Sequence, residues 1–281
     1  MTYRMTELSP DEYKKEVKNI LEYFHTFCNN YGLTYFIAYG SLIGVVRHQG
    51  FIPWDDDVDV YMRRNDYERF MLLVSKLDDN YYVLSSTTSK YYYNNFARLC
   101  SNSCILKLKG VERIDNLGAF IDIFPLDNVP LDESERELFY KEIKAVKEDI
   151  MYSLPVQYYF TSSFKRFMKY CFNIPLRIKC RFIIGTKKLK ERRDLLLRKY
   201  QERDVGLYAD LFDTPSDSLL VRESEIEGFV EYPFEDINVN VPIGFETILK
   251  RLYGDYMVLP NADERVSHHH FIPFWRNTKK R

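Results

Sequence analysis

With 281 residues, of which 46% are hydrophobic and 29% charged, the chain can build one large folded domain or a catalytic domain with an extension. A formal net charge of −1 provides no global field for a polyanion, which argues against nucleic acid as a partner. The five cysteines (Cys28, Cys100, Cys104, Cys171 and Cys180) include no C-x-x-C pair. That argues against a zinc site or a disulfide framework and for a reducing compartment.

The opening stretch MTYRMTELSPDEYKK lacks the apolar core of a signal peptide, and no run of about 18 uncharged apolar residues occurs. A cytoplasmic protein without a membrane-spanning helix is therefore expected. Ser9-Pro10-Asp11-Glu12 reads as a helix start, with a capping side chain, proline in the first turn and acids behind it. This helix is predicted to run to about Asn29, with Ile20, Leu21, Phe24 and Phe27 on its apolar side. Leu33 to Tyr39 reads as a buried strand, Ser41 to His48 as a short helix, and Asp57 to Met62 as a second strand. Asn65 or Asp66 is expected to cap a helix carrying Phe70, Leu73, Val74 and Leu77. Short strands are predicted at Tyr81–Ser85, Phe96–Cys100, Ile105–Leu108 and Ala119–Phe124, then a helix over about Asp132–Asp149. The pattern is that of an α+β sheet domain with helices packed on it.

Residues 164–203 hold 14 Lys and Arg against three acids, with large apolar residues interleaved from Phe164 to Ile184. Such a stretch either lies on an anionic membrane surface or grips an anionic polymer, or it is a solvated helical face balancing acids elsewhere.

The chemistry is concentrated in GSLIGVVRHQGFIPWDDDVDVY, Gly40 to Tyr61. Gly40 follows a strand and opens a helix, so its backbone can approach a ligand closely, and Ser41 adds a hydroxyl suited to a phosphate. Asp57 and Asp59 form a D-x-D beginning 17 residues after Gly40. If the segment is extended, Asp55, Asp57 and Asp59 share one face and Asp56 turns away. Carboxylates about 4 Å apart repel by roughly 4 kcal/mol at an effective dielectric near 20. A compensating cation is therefore expected, and an all-oxygen set suits Mg²⁺ or Mn²⁺, with Ca²⁺ also possible, rather than zinc. An EF-hand loop is ruled out because Val60 and Asp66 stand where it needs Gly and Glu. A glycosyltransferase D-x-D shares the metal chemistry but leaves the Gly-Ser turn unexplained.

AFIDIFPLD places Asp122 between two isoleucines, with Asp127 beyond a proline-containing turn. Asp122 is expected as a further metal ligand or as the base for an acceptor hydroxyl. Arg47 and His48, at the end of the Gly-Ser helix, could neutralise a donor phosphate; alternatively Arg47 pairs with Asp55 or Asp56.

GSLIGVVRHQGFIPWDDDVDVYMRRNDYERF, FIDIFPLD (120–127) and PIGFETILKRLYGDYMVLPNADERVSHHH (242–270) together resemble the signature of the LicD family of phosphotransferases, relatives of the fukutin-type enzymes. The resemblance implies a nucleotidyltransferase-type mixed sheet packed with helices over residues 1–130. A mainly helical, basic extension over 131–281 would follow, with a tail returning to the active site. It implies that Gly40 and Ser41 hold donor phosphates and that Asp57, Asp59 and Asp122, with Asp55 as the extra acid, hold Mg²⁺ or Mn²⁺. It also implies a CDP-linked alcohol as donor and a cell-surface glycan or its lipid-linked precursor as acceptor, as in lipopolysaccharide or teichoic acid modification. Arg265 is expected near the donor. His268, His269 and His270 read as structural or acceptor contacts rather than a zinc site. The whole reading is a metal-dependent phosphocholine-type transferase at the inner face of the cell membrane, which the basic segment would contact. Its competitors are a sugar-nucleotide glycosyltransferase using the same acids and a non-catalytic membrane-surface binding protein.

Overall fold

The computed structural model describes residues 6–89, 92–108, 117–154, 172–203, 205–212, 217–266 and 271–276. Helix α1 (Pro10–Tyr31) starts where the sequence signals it. Ser9 Oγ accepts the Glu12 N–H and the Glu12 carboxylate reaches back to the Ser9 N–H at 2.8 Å, while Gly32 closes the far end in the left-handed region. Strand β1 is only Phe36–Ile37, because Tyr39 already turns to φ +48° and opens helix α2 (Tyr39–Ile43), which runs on as a π-turn over Gly44–His48. Strand β2 is Asp59–Arg63, so Asp55 and Asp57 precede it. A turn closed by the Asp55 N–H and the Ile52 carbonyl precedes the segment 55–58, which holds no helix or turn and leads straight into β2. Helix α3 (Arg64–Leu72) starts just before the expected caps, and Asp66 pairs with Arg69 instead of capping.

Strands β3 (Tyr81–Leu84), β4 (Ala97–Ser101), β5 (Cys104–Leu108) and β6 (Phe120–Asn128) fall where predicted. β6 runs straight through Pro125, so Asp127 lies within the strand rather than after a turn. The pleat puts Ile121, Ile123 and Asp127 on one face of β6 and Phe120, Asp122, Phe124 and Leu126 on the other. Asp127 accepts a two-point contact from Arg64 at the start of α3 (2.6 and 2.7 Å), marking its face as the helix-covered one. α1 and α3 meet there through edge-to-face contacts of Phe70 with Phe24 and Phe27.

Helix α4 (Glu133–Ser153), capped by Asp132, is followed among the described residues by helices Ile174–Ile178 and Thr186–Leu197. The second half contributes more than helices. Strands β7 (Leu207–Asp210) and β8 (Leu220–Arg222) join the main sheet, whose order is β1-β2-β6-β4-β3 with β7 and β8 attached alongside β6. β2 and β6 run parallel and the other pairs antiparallel. β9 (Phe229–Phe234) and β10 (Ile237–Pro242) form a hairpin, and β11 (Phe271–Trp275) pairs with β5. The architecture is α+β, a mixed sheet packed with helices, and the boundary expected near residue 130 is crossed by strand pairing. His268, His269, His270 and the first eight residues of the basic segment lie outside the described residues.

Candidate active site

The parallel pairing of β2 with β6 sets Asp59 opposite Asp122, and the antiparallel pairing of β4 sets Arg98 opposite Asp122. Residues directly opposite share a face, so two acids and a guanidinium form a row across three strands. The Arg98 Nε donates to Asp122 at 2.7 Å, and its guanidinium lies 4.1 Å from the Phe120 ring centroid. Burial of the row draws those charges together.

The Gly-Ser turn abuts this row. Ser41 Oγ accepts the Asp59 N–H at 2.9 Å, so the hydroxyl proton can point to another acceptor. Gly40 leaves an opening: a Cβ there would stand 3.6 Å from the Asp55 carboxylate. Asp59 is thereby held well above the usual carboxylate range, by burial first and then by Asp57, Asp122, Asp55 and Asp210. The four predicted acids thus feel one another. Among the described residues, no three His, Cys, Asp or Glu side chains form a ready metal cage. The contact of Asp122 with Arg98 accounts for part of this.

The acid-bearing loop is fixed from outside. Lys14 of α1 donates to the Pro53 carbonyl at 3.1 Å, and the β9–β10 turn holds the loop through Glu235, whose N–H donates to the Gln49 carbonyl at 2.7 Å. Phe51 packs edge-on against Phe234.

Arg47 neither pairs with Asp55 nor with Asp56. Its Nη1 donates to the Tyr256 and Val258 carbonyls (2.7 and 3.3 Å) and its Nε to His48 (2.9 Å), which clasps the segment after helix Phe245–Tyr253. Burial and the neighbouring Arg265 both lower the Arg47 pKa, and burial and Arg47 lower that of His48. Arg265 bonds the Pro260 carbonyl and lies 5.6 Å from the Trp54 ring, which His48 meets edge-on. Two guanidiniums, an imidazole and an indole therefore gather at Trp54, the residue before Asp55.

Three contributors escaped sequence reasoning. Arg98 sits in an apolar strand and gives no sign of its cross-strand partner. Tyr253, 43% exposed overall, has its phenol pushed up by local desolvation of the hydroxyl and then by the charges of Asp59, Asp57 and Asp55. The Tyr39 hydroxyl donates to Asp210 of β7 at 2.7 Å, tying the residue before Gly40 to a strand 171 positions away.

A mixed sheet carrying carboxylates at a strand start, against a Gly-Ser helix opening and beside a cationic patch, is an arrangement with the groups that phosphoryl transfer needs. Residues 32–177 match the family model for LicD/FKTN/FKRP, nucleotidyltransferase domain, and the chain belongs to that family; it is a transferase. Over 274 residues it is 28% identical to lipopolysaccharide cholinephosphotransferase LicD of Haemophilus influenzae, covering 94% of this chain and 97% of that protein. Shorter similarities link it to uncharacterised proteins of Rickettsia typhi (38% over 50 residues, 18% of this chain and 16% of that one) and Rickettsia prowazekii (43% over 42 residues, 15% and 16%).

Proposed function

We propose that this transferase moves a phospho-alcohol of the phosphocholine type from a CDP-activated donor to a hydroxyl of a cell-surface glycan or its lipid-linked precursor. The observation that carries the reading is the contact of the Gly40–Ser41 turn with the acids, in which Ser41 Oγ bonds the Asp59 backbone and Asp55 faces Gly40. Gly40 and Ser41 would receive the donor diphosphate, with Arg47, His48 and Arg265 providing positive charge from the other side.

Asp55, Asp57 and Asp59 suit Mg²⁺ or Mn²⁺ in chemistry, being oxygen donors at a place where burial first, and the neighbouring carboxylates second, raise the Asp59 pKa, a strain that a bound cation would relieve. Asp122 would join them once released from Arg98. When bound, the metal supplies neutralisation of diphosphate charge. The acceptor oxygen forms the new bond to the distal phosphorus, the phosphoanhydride bond breaks, and CMP leaves with the bridging oxygen. Asp122 or another acid of the cluster would orient the acceptor hydroxyl and take its proton. A lipid-linked acceptor would be met at the cytoplasmic face of the membrane.

CMP release from CDP-choline, CDP-ribitol and CDP-glycerol, with a lipid-linked glycan as acceptor, tests the assignment. Turnover with one of these donors and Mg²⁺ is expected, with loss of at least 100-fold on Asp57→Asn or Asp59→Asn, as for loss of an electrostatic contributor. Full turnover in the Asp57→Asn/Asp59→Asn double variant would refute the metal role.

A further inference from the structure

Helix Ile174–Ile178 continues without a break into a π-turn over Lys179–Ile184, and this run is apolar on two sides. Its inner side anchors it to the protein: Cys180 is fully buried, and Leu176 and Ile184 pack with Val146 and Ile150 of α4 and with Leu189. Its outer side carries Ile174, Ile178 and Phe182 at four-residue spacing, with Phe172 and Ile183 alongside. These five are exposed by 38, 49, 74, 87 and 74%, respectively. Single exposed apolar residues are ordinary, but five large ones within twelve positions form a patch that water alone does not favour.

The charges along the patch-bearing stretch are of one sign. From residue 172 to 190 the sequence has six Lys and Arg and no Asp or Glu, in a chain whose net charge is −1. Lys179, Arg181, Lys187 and Lys188 are exposed. Arg181 lies 5.4 Å from the Phe182 ring centroid, so cation and aromatic share one surface. Bulky aliphatic side chains are of little use against a nucleic-acid backbone. A predominantly cationic rim around aromatic and aliphatic side chains, in which Glu191 meets Lys187 at 3.9 Å, complements an anionic lipid interface, where apolar groups enter the headgroup boundary and cations meet the phosphates. Among the described residues no helix is long and apolar enough to cross a membrane, so the contact would be peripheral.

We infer that Phe172, Ile178, Phe182 and Ile183 form a docking face that enters an anionic bilayer surface, held there by Lys179, Arg181, Lys187 and Lys188. This inference does not depend on which group the enzyme transfers.

Flotation of the full chain with vesicles of phosphatidylglycerol and phosphatidylcholine, and with phosphatidylcholine alone, tests it at about 0.1 M salt. Binding to the mixed vesicles, with little to the neutral ones, is expected. Neutralising Lys187 and Lys188 (Lys187→Gln/Lys188→Gln) should lower partitioning on the order of 30-fold, from the per-residue attraction of basic groups to an anionic surface. Phe182→Glu/Ile183→Glu should abolish binding while leaving the melting temperature unchanged, because both side chains face outward. Failure of the wild-type chain to bind mixed vesicles would overturn the proposal, as would equal binding by the Phe182→Glu/Ile183→Glu variant. Sedimentation velocity without lipid gives a third outcome: self-association that the same double variant abolishes would make the patch a protein interface and likewise refute lipid docking.

Discussion

Arg98 decides what Asp122 can do. It stabilises the carboxylate through a 2.7 Å contact, and it also competes with any cation that Asp122 might serve. Replacing it with methionine keeps the bulk over Phe120 but strands a partly buried acid. The cost should be roughly 2–3 kcal/mol, below the range for a fully buried pair. The same change frees Asp122, so the stabilisation of the Arg98→Met variant by Mg²⁺ should exceed that of the wild type in a thermal-shift titration. An unchanged Mg²⁺ response would remove Asp122 from the ligand set. Asp210 offers a pH test. Burial lifts its pKa to about 7, against the opposing hydrogen bonds from Tyr39 Oη and the Phe212 N–H. In the unfolded chain the group titrates near 4, so between about pH 4 and pH 7 the native state holds a proton that the unfolded state has lost. Stability must therefore fall as pH rises through that window, by up to on the order of 4 kcal/mol, and the penalty persists above it. Urea midpoints at pH 5, 6 and 7 should fall for the wild type. The fall should be shallower in Asp210→Asn, which leaves the same-signed contribution of Asp59 in place.

The Gly-Ser helix works only because its second turn is a π-turn pressed onto the loop that follows. A Cβ at Gly44 would meet the Gly50 carbonyl oxygen at 2.5 Å, a backbone atom that cannot swing aside. Gly44→Ala should therefore cost about 1–3 kcal/mol as an overpacking change. It should also shift Arg47 and His48, raising the donor KM more than it lowers kcat; a melting curve and a kinetic profile measure the two effects separately. This π-turn, like the left-handed Tyr39 before the helix, is invisible in a sequence read by periodicity, since both arise from tertiary contacts. Local signals served well elsewhere. The Ser9–Glu12 capping box, the apolar strands around Asp122 and the Gly-Ser turn ahead of the D-x-D were all legible, because each writes its geometry into adjacent residues. What stayed hidden depends on register. Arg98 faces Asp122 across 24 positions, and Tyr39 meets Asp210 across 171. The convergence of Asp55, Asp57 and Asp59 is expected from an extended backbone, and the segment that carries them begins where the turn over 52–55 ends.

A catalytic core ending near residue 130 with a mainly helical extension is expected from the sequence, but the connections of the folded chain argue that the two parts cannot be separated. β7 hydrogen-bonds the last three residues of β6, with Leu126 opposite Asp210, and the Val129 N–H donates to the Leu207 carbonyl at 3.0 Å. The Val129–Phe139–Tyr200–Ala209 cluster is a second core assembled from both sides of that boundary. On the substrate side, the carbonyls that receive Arg47 and the hairpin turn that holds the acid loop both come from residues beyond 230. A fragment of residues 1–130 would keep α1, α3 and most of the sheet. It would lose the strand covering the end of β6, the partner of Tyr39 Oη and both outer supports of the site. An open, apolar strand edge is also a template for aggregation. The isolated fragment is therefore expected to lack a cooperative thermal transition and fixed near-ultraviolet dichroism while retaining helical far-ultraviolet signal, with its donor binding lost. Adding residues 131–281 in trans should restore the cooperative transition if the two parts can still pair β6 with β7. A sharp, two-state melt for residues 1–130 alone would show that the sheet is complete without its second half, contrary to the pairing seen here.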